Sequence, residues 1–181
     1  ILLCKIKIME VRNLHTFQKI TPDIVEINPF AKIGTDWMLV TAGNEEKANT
    51  MTASWGALGQ MWGKDAAFVV IRQSRFTKEF IDREKKFSLS FPGDEHRNLM
   101  KYLGAVSGRD EDKIKVSGAE IGYYKGVPYI DQASLILICK VLSSTFVKPE
   151  DFVDPGIDDT WYRDKDYHTL YIASITDILA R

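Results

Sequence analysis

Residues 66–71, with the sequence AAFVVI, constrain this chain more than any other stretch. Six consecutive apolar residues read as a strand buried on both faces, so the rest of the chain must supply cover on two sides. Further strand-like segments are short and sharply punctuated. Residues 37–41 form one, ended by Gly43 and Asn44. Residues 50–58 form the next, with small side chains that permit close approach of a ligand. Residues 87–91 alternate apolar and polar and stop at Pro92 and Gly93. Residues 127–130, 134–145 and 168–178 complete the set.

Helical signals are fewer. Thr77 is placed to cap a helix running through about Glu84, with Phe76 and Ile81 as a hydrophobic staple. A second helix is expected over residues 95–103, with Leu99, Met100 and Leu103 inward and Gly104 stopping it. A third, short one is expected near residues 110–115. Residues 149–166 carry many Asp residues and a Pro155-Gly156 pair, and read as a long loop. Mostly strands, with helices as inserts, predict an antiparallel barrel rather than a doubly wound sheet.

At 181 residues, 45% hydrophobic and 27% charged, the chain can bury one sizeable core. No repeat, low-complexity segment or linker divides it. Residues 1–8 precede Met9 and read as an N-terminal extension, leaving 9–181 as a single domain. The apolar start is too short to span a membrane. With 24 Lys+Arg against 25 Asp+Glu, no basic surplus points to nucleic acid or an anionic membrane. Cys139 lies in an apolar run and reads as a core thiol; Cys4 has no close Cys or His at metal spacing. Low cysteine usage fits a reducing cytoplasm. The histidines lack ligand spacing, so no metal is expected. His15 and His96 read as surface residues. Signatures of Rossmann enzymes, P-loop hydrolases, serine hydrolases and dithiol enzymes are missing.

Two segments carry candidate chemistry. In residues 49–55, NTMTASW, an extended strand puts Thr50, Thr52 and Ser54 on one face and Met51, Ala53 and Trp55 on the other. Three hydroxyls in a row need polar partners, and either water or the edge of a flat heterocycle would serve. Gly56, Ala53 and Ala57 leave room for a plane to lie close. Residues 72–77, RQSRFT, place Arg72, Ser74 and Thr77 ahead of a helix start, where unpaired N–H groups attract anions. Arg72 adds a planar fork suited to phosphate, and Arg75 stands beside it. The same residues also describe an ordinary capped helix with Arg72 in a surface ion pair. Residues 107–113, SGRDEDK, read as a solvated turn and helix start, and His168 as a satisfied structural histidine.

With those residues in place, the chain resembles the flavin reductase-like, FMN-binding split-barrel family, which includes flavoredoxins. Residues 36–43 (DWMLVTAG), 49–55, 72–81, 107–113 and 166–175 carry the resemblance, in order along the chain. It implies a mainly β, Greek-key split barrel with a few inserted short helices. It implies FMN held by Asn49, Thr50, Met51, Thr52, Ala53, Ser54 and Trp55 along the ring and ribityl chain. Arg72, Ser74 and Thr77 would hold the phosphate, with Trp37 and His168 as secondary wall residues. It further implies a homodimer with flavin near the interface, and NADH or NADPH as electron donor. The expected activity is that of a flavin reductase with the chemistry carried by the flavin. The alternatives are a flavoredoxin-like carrier serving a partner redox protein, and a non-enzymatic dimeric barrel binding another planar ligand. Where the family often ends its last strand with Gly-Glu, this chain has Ala173-Ser174, so no carboxylate is expected there.

Overall fold

The computed structural model describes residues 14–181, so Cys4 and the expected extension 1–8 lie outside the described residues. The strands are β1 (Gln18–Ile20), β2 (Met38–Gly43), β3 (Ala48–Ala53), β4 (Gly56–Met61), β5 (Lys64–Arg72) and β6 (Lys86–Pro92), then β7 (Ile121–Tyr124), β8 (Val127–Ile130), β9 (Ala133–Phe146) and β10 (His168–Ala180). The helices are α1 (Phe76–Glu84), α2 (Arg97–Ala105), α3 (Lys113–Ser117) and α4 (Gly156–Trp161). A π-helical turn, Phe30–Thr35, precedes β2.

One antiparallel sheet runs in the order β3-β2-β6-β9-β10-β5-β4, with β1 added along β10. Its two ends, β3 and β4, are consecutive in the chain and joined only by Ser54 and Trp55, yet no pairing connects them. The barrel is therefore split at that seam. The hairpin β7–β8 forms a separate two-stranded sheet.

The apolar run 66–71 behaves as its composition requires. It lies in β5 between β4 and β10, with Ala66, Ala67, Val69 and Ile71 fully buried. The barrel interior also takes Met38, Val40, Phe80, Phe87, Leu89, Phe91 and Tyr171. On β6 the alternation serves two interfaces. Phe87, Leu89 and Phe91 point into the barrel, while Ser88 and Ser90 are equally buried and bond to β8. Ser88 Oγ donates to Pro128 O at 2.7 Å, and Ser90 Oγ accepts the Ile130 amide at 3.1 Å. A third cluster, Leu39, Met100, Leu103 and Ile130, seats α2 against the outer face of β2.

Several boundaries differ from the sequence expectation. The expected strand over 50–58 is two strands, β3 and β4, broken at Ser54 and Trp55. α1 begins at Phe76 with Arg75 at its cap position, so Thr77 is inside the helix and not its cap. The staple is replaced by an edge-to-face contact of Phe76 with Phe80, ring centroids 5.0 Å apart. α2 starts later than expected, after a single 3-10 turn, Asp94–His96, and runs through Gly104. The long loop 149–166 contains α4. Cys139 is fully buried, and burial pushes its thiol pKa far up, as suits a core residue.

Candidate functional site

The seam opens into a cleft of about 510 Å³, within the range of small-molecule sites. Its floor is the end of β3 and the link to β4: Met51, Thr52, Ala53, Ser54 and Trp55. Val70 and Arg72 of β5 and His168 of β10 form one wall, and Trp37, Met100, Lys101 and Gly104 the other. Arg75 stands at the base of α1 and Trp161 closes the outer end. Three cations line this cleft, and none of its lining residues is acidic.

The structure brings together Trp37, residues 51–55, Arg72 and His168 from the sequence expectation. Asn49, Thr50, Ser74 and Thr77 are not among the lining residues. Each has a protein partner instead. Asn49 Nδ2 donates to Thr77 Oγ1 at 2.8 Å, and both side chains are buried. Thr50 Oγ1 pairs with Thr41 Oγ1 at 2.9 Å across the β2–β3 ladder. Ser74 donates to Asp166, from its amide at 3.1 Å and its hydroxyl at 2.5 Å. The hydroxyl face of β3 thus finds its partners mainly in protein. Thr52, although it lines the cleft, donates to Met100 O at 2.5 Å and so ties β3 to α2.

Gly56 also serves the fold more than a ligand. A Cβ there would lie 2.5 Å from the Phe68 carbonyl oxygen on the paired strand, a backbone atom that cannot rotate away. Gly56→Ala is expected to destabilise the protein by about 1–3 kcal/mol. Urea unfolding of the variant checks this, and an unchanged midpoint would count against the close pairing.

Two features sequence reasoning passed over brace the helices beside the cleft. Lys113 is buried, and its Nζ donates to Leu103 O at 2.7 Å and Val106 O at 2.8 Å. It thereby satisfies carbonyls at the end of α2. Burial pulls its pKa down to about 8, with Arg75 adding in the same direction. Arg109, in the turn read as solvated, donates to Ser74 O at 2.8 Å and to Glu79 at 2.5 Å. The segment 107–113 therefore braces both helices that flank the cleft.

His168 is buried, and its Nδ1 lies 2.8 Å from the Tyr162 hydroxyl. Its ring is 5.2 Å from that of Trp55. Burial lowers its pKa to about 4, and Arg72 pushes the same way. Above pH 6.5 neither folded nor unfolded chain carries this proton. Between pH 6.5 and 4 only the unfolded chain takes it up, so stability falls with acidification. About 2 kcal/mol should be lost by pH 5 on this account. Urea titrations at pH 7 and pH 5 should show a smaller loss in His168→Gln. Equal losses in both proteins would rule this out.

No group of His, Cys, Asp and Glu among the described residues could hold a metal ion. No helix among them is long and apolar enough to cross a membrane.

A split antiparallel barrel with a cationic cleft at its seam defines the structural class. The flavin reductase like domain model matches residues 30–181, and the chain belongs to that family. An uncharacterized protein of Escherichia coli, YddH, is 30% identical over 118 residues, which is 62% of each chain. The present chain thus matches a little under two thirds of that relative's length. Among solved structures, a flavoredoxin from Methanosarcina acetivorans superposes with a TM-score of 0.64 at 22% identity, over 87% of this chain and 75% of the other. An FMN-binding domain of a flavin reductases-like enzyme from Shewanella baltica gives 0.66 at 20% identity, over 92% and 78%. The styrene monooxygenase flavin reductase of Pseudomonas putida gives 0.58 at 18% identity, over 80% and 78%. These likenesses establish the split-barrel fold.

Proposed function

We propose that the protein is an FMN-dependent oxidoreductase of the flavin reductase type, with a nicotinamide nucleotide, NADH or NADPH, as electron donor. The observation that carries this reading is the cleft itself, which joins an aromatic and small-residue floor to Arg75 and Lys101, with no acidic residue in its lining. A planar ring with an anionic tail matches that distribution.

In this reading the ring lies along residues 51–55, with Trp37, Trp55 and His168 around it. Arg75 and Lys101 hold the phosphate. Bound FMN would supply reversible hydride acceptance, which explains why no nucleophile or general-base pair is needed. The protein's part is to bind, orient and exclude water. His168, kept neutral by burial, adds no charge beside the ring. Ser54 and the backbone amides of the link offer polar contacts whose strength changes with electron density. The protein is further proposed to act as a cytoplasmic homodimer, with small-molecule donor and acceptor or a partner redox protein completing the electron path.

The test is the visible spectrum of the purified or FMN-reconstituted protein, before and after anaerobic NADH or NADPH. Binding of FMN in preference to FAD, with bleaching on donor addition, is the expected result. Failure to bind FMN would overturn the reading. Tight FMN that neither donor reduces would assign the protein as an electron carrier instead.

A further inference from the structure

The segment 149–166 is not an idle loop. It crosses the outer end of the cleft as a strap, and Arg72 is the main side chain that fastens it. Arg72 Nη2 donates to Trp161 O at 2.8 Å, and Nη1 donates to Asp166 O at 3.0 Å and to Asp164 at 3.3 Å. Its guanidinium also lies 5.4 Å from the centroid of the Tyr162 ring. Asp166 returns the hold by accepting both bonds from Ser74. Within the strap and just beyond it, the rings of Phe152 and Tyr162 stack, as do those of Tyr162 and Tyr167. Tyr167 and Lys165 both donate to Asp158. A planar fork bonded to two backbone carbonyls of the strap is a geometric fixture that lysine cannot reproduce.

What this fixture positions is Trp161. Its ring meets Trp55 edge to face, centroids 5.0 Å apart at 84°, and it remains 51% exposed while Trp55 is 37% exposed. Both indoles line the cleft and keep ring surface open to solvent at its mouth. Large aromatics held in place with part of the ring exposed are suited to stack a second ring.

We propose that Trp161 is a substrate-binding residue that stacks the ring of a planar, anionic second substrate, a nicotinamide nucleotide, and that Arg72 is a positioning residue acting through it. The inference rests on the reading of the cleft as an FMN site. It gives Arg72 a role distinct from phosphate binding, which falls to Arg75 and Lys101.

The test uses FMN-reconstituted wild type, Trp161→Ala, Trp161→Phe, Arg72→Ala and the Arg72→Ala/Trp161→Ala double variant. Two equilibria are measured for each: FMN affinity by flavin fluorescence, and NAD+ affinity from the absorbance shift of the bound oxidised flavin. Anaerobic reduction by NADH then separates KM from kcat. Trp161→Ala should weaken NAD+ binding and raise KM by about three- to tenfold, with FMN affinity nearly unchanged. Trp161→Phe should recover most of the loss. Arg72→Ala should show the same pattern, and the double variant should be no worse than Trp161→Ala alone. Wild-type NAD+ affinity in Trp161→Ala would overturn the inference while leaving the FMN reading intact. Full additivity in the double variant, or loss of FMN affinity in Arg72→Ala, would overturn the role of Arg72. If Arg72→Ala fails to fold, Arg72→Lys takes its place in the comparison. Failure of wild type to bind FMN would remove the parent reading and this inference together.

Discussion

Arg75→Ala is expected to raise the FMN dissociation constant roughly ten- to a hundredfold, the cost of one charge-assisted hydrogen bond. Arg75 lines the cleft at the N-terminal end of α1, and its Nη1 donates to Gly104 O at 2.9 Å, which aims the guanidinium between α1 and α2. Burial lowers its pKa from the usual arginine value, yet an arginine remains a cation at neutral pH. The phosphate it is proposed to hold does not change during hydride transfer. Its loss therefore removes uniform binding, and turnover at saturating FMN should largely recover. Ser54→Ala makes the contrast, because a group beside the ring should shift the flavin's reduction potential even when the site is full. Fluorescence titration of both variants, followed by anaerobic reduction at saturation, separates the two roles. Wild-type FMN affinity in Arg75→Ala would sink the phosphate assignment.

His15→Ala should destabilise the fold by about 1.5–3 kcal/mol, the range for losing one hydrogen bond to a charged group. The Asp131 carboxylate is fully buried. It accepts the His15 amide at 3.0 and 3.2 Å, and His15 Nδ1 lies 2.5 Å from it. Removing the ring leaves a buried carboxylate served at that point by one amide. Adding Asp131→Asn to the His15→Ala background should restore part of the loss, since the stranded charge is then gone. Urea unfolding at pH 7 measures both. A loss below about 0.5 kcal/mol in His15→Ala would show that the ring contributes only as a surface group.

His15 also illustrates what the sequence leaves hidden. A polar residue near the start of the described chain reads as surface, and its ring is indeed half exposed. Its partner lies 116 residues away, and no local pattern announces that pairing. Where the signal is periodic, sequence and structure agree closely. The expectation for 127–130 matches β8, and the apolar run 66–71 is the centre of β5. The break of 50–58 into two strands was not legible, because Ser54 and Trp55 are themselves acceptable strand residues. Only the Gly56 contact with Phe68 and the seam itself impose the break. The hydroxyls of β3 were legible as a polar face in need of partners. That Thr41 and the Met100 carbonyl would meet two of them depends on how β2 and α2 pack. Lys101, Trp161 and Arg75 reach the cleft from separate elements, and short spacing rules do not gather such residues.

The seam between β3 and β4 has a consequence for how a ligand is admitted. In a closed barrel, widening the interior means parting a row of ladder bonds. Here the two strands that flank the opening are tied to each other by two residues of chain and by no ladder. Each is anchored on its far side, β3 to β2 and β4 to β5. Widening the opening would therefore break no ladder bond between its two edges, and both anchoring ladders can stay intact. Entry of a flat molecule at the seam then parts no hydrogen bonds between β3 and β4. Sequence change in that two-residue link would alter the edge of the slot without touching either anchoring ladder.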